Sequence, residues 1–399
     1  MGVITEVFFR KIIDSRGNPT IEVDVVADGG FGRAAAPSGA STGAHEVAAW
    51  APGGVDESVG IGRAKIADEL IGVDVLLQRE IDDLLEELDD TDNFANIGGN
   101  LAVATSLAVA KAAANSLEIP LYAYLGGAFV NRLPRPFGNV LGGGAHAIGG
   151  TDIQEYMAVA LGPTVQESVF ANAYVHAEVK KQLKQRFPGQ ALGKGDEGAW
   201  TAPMGNVDAL ELVAQACQQA SDEYGFEVRP ALDVAATEFY DGKVYNYKEG
   251  KKTSQEQVEF LAELVDRFNL ISIEDGCAED DWDAWINITE QIGHKCLLIG
   301  DDLFTTNPDR LSNGITRDAA NAILIKPNQI GTLTRTVDTI QLAQDAGYRT
   351  IISHRSGETT DTTIAHIGAA FGCFGIKTGT VGGERTAKLN ELIRIEEEL

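Results

Sequence analysis

The chain has few cysteines. It carries four in 399 residues, far apart and without a CxxC pair. This spacing argues against a disulfide framework and against a thiolate zinc site, so we expect buried free thiols. No apolar run approaches the roughly 20 residues needed to cross a bilayer. The amino terminus, MGVITEVFFRKIID, lacks the basic, apolar and small-residue segments of a signal peptide. We therefore predict a cytoplasmic protein with no membrane partner.

Basic residues are also scarce. The chain has 32 lysines and arginines against 59 acidic residues, a formal net charge of −27. Such a surface repels nucleic-acid backbones and anionic lipids, so we expect no nucleic-acid partner. The acidic residues form short clusters, such as EIDDLLEELDD at 80–90, rather than one tail. We favour a solvated acidic coat adapted to a high-salt cytoplasm, where counterions screen self-repulsion.

Hydrophobic residues, at 44%, are sufficient for a sizeable core. Two domains are expected, unless most of the chain forms one barrel of about 250 residues. Near the start, NPTIEVDVVADGG alternates apolar and acidic residues before a turn, which predicts a hairpin strand with one solvated face. Residues 56–125 show three- and four-residue apolar spacing, which predicts helices that stop at Pro120.

The pattern changes after NRLPRP at 131–136, the best linker candidate. Residues 164–187 predict a long helix with a capping box of Thr164 and Glu167. Short β-like runs then alternate with helical segments, which predicts a parallel sheet with helical crossovers. We predict an α+β amino-terminal domain at 1–130 and an α/β barrel, a modified TIM barrel, at 131–399. The β-like runs are RPALDVAAT, LISIED, LLIGDD, AILIKPN, TIISHRS and GCFGIKTG.

Each of these runs carries a polar residue at or near its end, and successive residues are 23 to 41 positions apart, which suits one strand-loop-helix unit each. In a (β/α)8 barrel such positions converge at the carboxyl-terminal rim, where these enzymes hold their active sites. Taken singly, each would more often be a cap, a turn residue or a solvated strand end. The residues are Asp233, Glu274, Asp301, Lys326, His354, Arg355, Ser356 and Lys377.

The acidic members of this set predict a magnesium site. Asp233, Glu274 and Asp301 are hard oxygen ligands, which favour Mg²⁺ over Zn²⁺. A lysine beside a divalent cation has its ammonium form disfavoured, so Lys326 can become a general base.

The basic members predict an anion-binding site. Arg355 with Ser356 suits a phosphate, and Lys377 is a second anion contact. A metal site, a general base and an anion-binding site in one pocket suggest removal of a proton next to a substrate carboxylate. If elimination follows, a general acid must protonate the leaving group. The candidates for that acid are Gln154 and Glu155 in IQEYM, and Asp196 and Glu197 in GKGDEGAW.

Nine ordered motifs span nearly the whole chain: DSRGNPTIEVDV (14–25), APSGASTGAHE (36–46), GDEG (195–198), LDVAATEFY (232–240), SIED (272–275), GDDL (300–303), LIKPNQIGT (324–332), SHRSGET (353–359) and IKTG (376–379). In this order they resemble the enolase family, the phosphopyruvate hydratases of glycolysis. The resemblance implies reversible dehydration of 2-phosphoglycerate to phosphoenolpyruvate. A lysine or histidine base with one or two Mg²⁺ ions is already known for the superfamily.

The resemblance also implies two Mg²⁺ ions per active site, the second assisted by substrate. Asp233, Glu274 and Asp301 would bind the first ion. Lys326 would remove the proton from C2 of the substrate. Ser41, in a loop that closes over substrate in the family, would contact substrate and ligate the second ion. The family is commonly dimeric or a ring of dimers, so the resemblance implies a homodimer or higher homo-oligomer.

A further set of residues takes its implied role from the resemblance alone. Glu197, assisted by Glu155, would be the acid that lets the C3 hydroxyl leave as water. His146 resembles a pocket histidine of the family and would belong to the catalytic group. The implied substrate contacts are Gln154, His354, Arg355, Ser356 and Lys377.

The sequence departs from the family pattern at Gly142, Gly276 and Ala199, which affects loop rigidity but removes no group with a chemical role.

A related enzyme acting on a non-phosphorylated carboxylate, such as a racemase or cycloisomerase, would lack the SHRSGET motif. A binding or scaffold protein without catalysis would have lost Lys326 or Glu197. The remaining histidines are expected to be structural or on the surface: His45, His176, His294 and His366.

Overall fold

The structure, a computed structural model, describes residues 2–39, 43–147 and 149–399. A three-stranded antiparallel sheet comes first, formed by β1 (Ile4–Ile13), β2 (Pro19–Ala27) and β3 (Gly30–Ala35) in that order. The predicted hairpin strand is confirmed as β2. Its predicted solvated face is wrong at Asp24, which is buried because Arg10 and Arg33 both donate hydrogen bonds to its carboxylate.

The predicted helices follow: α1 (Val55–Ile61), a π-helical turn (Gly62–Ile66), α2 (Ala67–Leu70), α3 (Gln78–Asp89), α4 (Gly99–Ser116), α5 (Leu121–Gly126) and a 3₁₀ turn (Gly127–Phe129). Helix α4 is buried along most of its length and packs on the sheet. At Gly32 the approach is so close that a Cβ would lie 1.9 Å from the carbonyl oxygen of Ala108. The helices do not stop at Pro120 as predicted, because α5 begins directly after it. Pro120 therefore follows the end of α4 and precedes the start of α5.

Eight strands close into a barrel: β4 (Arg135–Gly142), β5 (Glu155–Ala160), β8 (Val228–Asp233), β11 (Ser272–Glu274), β12 (Leu297–Gly300), β13 (Ala322–Ile325), β14 (Arg349–Ser353) and β15 (Gly375–Lys377), with β15 pairing to β4. Short strands lie outside this ring: β6 (Gly193–Lys194), β7 (Trp200–Thr201), β9 (Val244–Tyr247) and β10 (Gly250–Thr253). The predicted α/β barrel is confirmed.

One strand differs from an all-parallel barrel. Strand β5 pairs antiparallel with both β4 and β8, whereas the other barrel pairings are parallel. Between β4 and β5, the described residues 143–147 and 149–154 form no crossover α-helix. A connection of this kind returns the chain in the opposite direction. The predicted linker also ends early, because Arg135 and Pro136 already belong to β4.

The helices after β5 are α6 (Val165–Arg186), α7 (Asn206–Tyr224), α8 (Ser254–Phe268), α9 (Trp282–Ile292), α10 (Pro308–Thr316), α11 (Pro327–Ile330), α12 (Leu333–Asp345), α13 (Thr363–Ala370) and α14 (Gly383–Glu398). The predicted long helix is confirmed as α6, with Thr164 accepting a hydrogen bond from the Glu167 N–H. The Glu167 carboxylate accepts from the Thr164 hydroxyl instead of from the backbone, so the capping box is one-sided.

All four cysteines are buried free thiols, as predicted. None of the helices in the described ranges combines the length and apolarity needed to cross a bilayer.

Candidate active site

The predicted site residues that the structure describes converge at one mouth of the barrel. Asp233, Glu274 and Lys377 are the last residues of β8, β11 and β15, and Asp301 and Lys326 directly follow β12 and β13. Because these strands are parallel, their ends share one edge. A single pocket is lined by Gly39, His146, Gln154, Glu155, Glu197, Asp233, Asp301, Lys326, Ser353, His354, Arg355, Ser356 and Lys377.

The reversed direction of β5 explains why two predicted site residues precede a strand. Gln154 lies just before β5 and Glu155 begins it, and Glu155 stands opposite Asp233 of β8. The amino end of an antiparallel strand therefore reaches the same rim as the carboxyl ends of its neighbours. The Gln154 side-chain amide donates a hydrogen bond to Asp233 Oδ2 at 3.2 Å.

Two lysines lie between the acidic residues. Lys377 Nζ is 3.0 Å from Asp233 Oδ2, 2.8 Å from Glu274 Oε1 and 3.3 Å from Glu155 Oε1. Lys326 donates a hydrogen bond to Asp301 Oδ2. Both ammonium groups compensate carboxylates that have been removed from water.

Burial and charge set the protonation of this cluster. Burial and the nearby Asp233 raise the pKa of Glu274 to about 8, against the opposing Lys377. At Lys326 burial acts to lower the pKa, but the Asp301 carboxylate outweighs it, so the pKa lies above its ordinary value. Without a metal ion Lys326 is therefore a cation, and the predicted neutral lysine requires the charge of Asp301 to be offset.

The donor set suits a hard divalent cation. Glu274 Oε2 and Gln154 Oε1 are buried and make no hydrogen bond within the described residues, so each has a lone pair available for a ligand. Asp233, Glu274 and Asp301 supply only oxygen donors, with Lys377 and Lys326 beside them. This chemistry fits Mg²⁺.

A tighter acidic group lies next to the predicted one. Single oxygens of Asp275, Asp301 and Asp302 fall within 4.8 Å of one another. Asp275 accepts the backbone N–H of Asp301 at 3.0 Å and that of Asp302 at 2.8 Å, which fixes the turn that carries Asp301. No role was predicted for Asp275, although it stands in the SIED motif.

A second group combines His146, Glu155 and Glu197, whose ligand atoms also lie within 4.8 Å of one another. Burial raises the pKa of Glu155, and the Glu197 charge adds to this. Burial acts to raise the pKa of Glu197 as well, but His354 and His146 outweigh it and the net pKa is lowered. A carboxyl pair with separated pKa values is suited to acid-base chemistry, with the proton resting on Glu155.

Arg355 is held by residues from two other segments. It donates two hydrogen bonds to Glu46, at 2.9 and 3.0 Å, and one to Asn328 at 3.0 Å. This bidentate geometry is the one that a guanidinium offers to carboxylates and phosphates. Glu46 belongs to the APSGASTGAHE motif, but its position beside Arg355 could not be inferred from a separation of 309 residues.

The turn that carries Glu197 is supported by a histidine and a tryptophan. The His176 Nε2–H donates to the carbonyl oxygen of Gly198 at 2.9 Å, and Trp200 Nε1 donates to the carbonyl oxygen of His176 at 3.0 Å. Their ring centroids are 5.1 Å apart. His176 is thus a buried structural residue. Ser41, the predicted ligand of a second ion, lies outside the described residues.

Comparison with known proteins places this chain in a family. The model for the enolase C-terminal TIM barrel domain matches residues 130–399, and the model for the enolase N-terminal domain matches residues 4–125. Similar curated proteins include the enolase of Methanothermobacter thermautotrophicus, 51% identical over all of this chain and 97% of that protein. The enolases of Methanocorpusculum labreanum and Haloquadratum walsbyi are each 52% identical over the whole of both chains. With both domain models matched and full-length relatives at this identity, the chain belongs to the enolase family.

Proposed function

We propose that the protein is a phosphopyruvate hydratase, a hydro-lyase that reversibly dehydrates 2-phosphoglycerate to phosphoenolpyruvate in glycolysis and gluconeogenesis. The supporting observation is that a buried lysine, a carboxyl pair with separated pKa values and two of the proposed metal ligands, Asp233 and Asp301, line one pocket. The third proposed ligand, Glu274, contacts Lys377 of the same pocket at 2.8 Å. Removal of a C2 proton and loss of a C3 hydroxyl need a base, an acid and a source of positive charge.

Asp233, Glu274 and Asp301 would hold the first Mg²⁺, and Ser41 would take part in binding a second ion together with the substrate. When bound, Mg²⁺ supplies positive charge that offsets the charge developing on the substrate carboxylate. The unpartnered Oε2 of Glu274 supports this assignment.

Lys326 acts as the base toward C2. Of the influences on its pKa, burial and the charges of Arg355 and Lys377 lower it, whereas Asp301 raises it. Once Asp301 serves as a metal ligand, its negative charge is no longer available to the ammonium. The lowering influences then dominate, so the free amine becomes accessible near neutral pH.

Glu197 acts as the acid toward the C3 hydroxyl. Glu155 holds a proton in the free protein and has an oxygen within 4.8 Å of Glu197, so it is placed to supply that proton, beside His146. The C3–O bond breaks as water leaves, and the electron pair from C2 forms the double bond of the product.

The phosphate and carboxylate of the substrate need cationic and hydrogen-bonding contacts. Arg355 and Ser356 would contact the phosphate, and Gln154, His354 and Lys377 would complete the substrate contacts. A homodimer or higher homo-oligomer in the cytoplasm is part of the same proposal.

The test is an ultraviolet assay of phosphoenolpyruvate formation from 2-phosphoglycerate in molar KCl. We expect product with Mg²⁺, none after EDTA treatment, and recovery when Mg²⁺ is restored. Absence of product with Mg²⁺ at several salt concentrations would defeat the proposal.

A further inference from the structure

Arg385 is completely buried, with a side-chain exposure of 0%, and the chemistry above gives it no task. It lies in the first turn of α14. A cation there faces the positive end of the helix dipole, and its burial adds a desolvation cost. The carboxylate of Glu384, 3.3 Å from Nε, offsets part of this cost. This position of Arg385 is unfavourable for the helix by itself, which indicates that the side chain has a role in its contacts outside the helix.

The guanidinium of Arg385 joins two loops of the active site. Nη1 donates to the carbonyl oxygen of Arg355 at 2.7 Å, and Nη2 donates to that of Ser356 at 2.6 Å. Nη2 also reaches the carbonyl oxygen of Asp196 in the GDEG turn at 3.4 Å. The remaining contact is to a side chain: Nη1 lies 2.7 Å from Nδ1 of His354.

This last contact determines where the imidazole of His354 carries its proton. Guanidinium nitrogens only donate, so Nδ1 must accept, and the proton of the neutral ring lies on Nε2. Nε2 is 3.4 Å from Glu197 Oε1 and makes no hydrogen bond within the described part of the chain. The Nε2–H group therefore faces Glu197 as an available donor in a buried pocket.

We propose that Arg385 is a positioning residue that holds His354 as the neutral Nε2–H tautomer, so that this N–H group stabilises Glu197 during proton transfer. The inference rests on the proposed dehydration. When Glu197 gives its proton to the C3 hydroxyl and water leaves, the new carboxylate accepts a hydrogen bond from Nε2–H. In the reverse reaction the carboxylate takes a proton from water, and His354 gains or loses none.

Neutrality of His354 matters because an imidazolium would form an ion pair with the Glu197 carboxylate and oppose its uptake of the proton from Glu155. Burial lowers the pKa of His354 to about 3, with Glu197 acting in the opposite direction and Arg385 and Lys377 adding to the lowering. Of these charged groups, Glu197 and Arg385 contact the ring directly. Arg385 thus contributes both a donor to Nδ1 and a positive charge that opposes protonation.

The test is ¹⁵N NMR of the full-length protein labelled at its six histidines, with the His354 signals assigned by their loss in His354→Gln. We expect a protonated Nε2, an unprotonated Nδ1 and no titration from about pH 5 to 8. Arg385→Met should give mixed tautomers and a ring that titrates at higher pH, and Arg385→Lys should restore the original signals. A wild-type ring protonated on Nδ1, or unchanged signals in Arg385→Met, would overturn the proposal.

Kinetics supply a second readout. Arg385→Met should lower kcat by about 10- to 100-fold and move the acid limb of its pH profile upward, with recovery in Arg385→Lys. If Arg385→Met fails to fold, two substitutions of His354 replace it. Gln places an N–H near the Nε2 position of the ring, and Asn places one near the Nδ1 position. We therefore expect His354→Gln to retain more activity than His354→Asn, and equal activities would contradict the proposed Nε2–H tautomer. The NMR test needs no turnover, so an inactive wild-type protein with the expected tautomer would defeat only the proposed reaction.

Discussion

At Lys326, burial and a neighbouring charge act on one ammonium group in opposite directions. Burial lowers its pKa, and Asp301 raises it by more. The side chain is therefore a stable cation beside Asp301 and a base once that carboxylate is engaged elsewhere. The same residue can in this way stabilise the free protein and take part in the reaction.

Lys326→Ala is expected to abolish exchange of the C2 proton of 2-phosphoglycerate with solvent deuterium, with a loss of at least about 100-fold, because no base remains at C2. The C2 proton signal in D₂O with Mg²⁺ and KCl gives the rate. Lys65→Ala, at an exposed position, is the control and should exchange as the wild type does. Undiminished exchange in Lys326→Ala would mean that another base acts.

Single residues were predictable where their own chemistry marks them. Carboxylates, two lysines and an arginine at the ends of β-like runs were found because they are unusual after apolar residues. Their supporting residues were not found. Glu46 and Arg385 contact Arg355 and His354 from 309 and 31 positions away, and such contacts leave no periodic pattern in the sequence.

At the scale of elements, the reversal of β5 and the support of the Glu197 turn determine the shape of the pocket. Helix α6 contributes His176, which bonds to the carbonyl oxygen of Gly198 and packs on Trp200. The turn that carries Glu197 is thereby fixed to α6. A fixed turn keeps Glu197 within reach of Glu155.

Burial lowers the pKa of His176 from 6.5 to about 4. The unfolded chain therefore binds more protons than the folded protein between these values, so stability is lost as pH falls below about 6.5 and the loss is complete below about 4. At pH 5 the loss is about 2 kcal/mol relative to pH 7.5. His176→Gln keeps an N–H for Gly198 but cannot titrate, so we expect it to reduce the pH dependence by about this amount.

Denaturant unfolding at constant KCl, at pH 7.5 and pH 5, measures this difference. His294→Gln, the same change at an exposed histidine, is the control and should keep the wild-type pH dependence. If His176→Gln keeps it too, the buried histidine is not its source.

At the scale of the whole molecule, the net charge of −27 is the dominant feature. Like charges repel over the Debye length, which shrinks from about 10 Å at 0.1 M salt to about 3 Å at 1 M. The acidic coat is therefore least costly to the folded state at high salt. Adaptation to a high-salt cytoplasm stays a prediction, as does the division into domains at 1–130 and 131–399.

The melting temperature is expected to rise as KCl increases from millimolar to multimolar concentration, because screening removes repulsion that favours unfolding. Calorimetry across a KCl series measures it, and a neutral osmolyte at matched osmolality separates screening from solvent exclusion. A protein equally stable at low and multimolar salt would contradict the interpretation.

The sequence by itself determined the alternation of strands and helices, the barrel and the residues with distinctive chemistry, because periodicity and residue type are local properties. Only the tertiary structure decided that β5 runs backwards, that Asp24 is buried between two arginines and that Lys326 is a cation beside Asp301. Each of these depends on which distant groups become neighbours. Burial and charge act through space, and their sum at one atom is fixed only when the chain has folded.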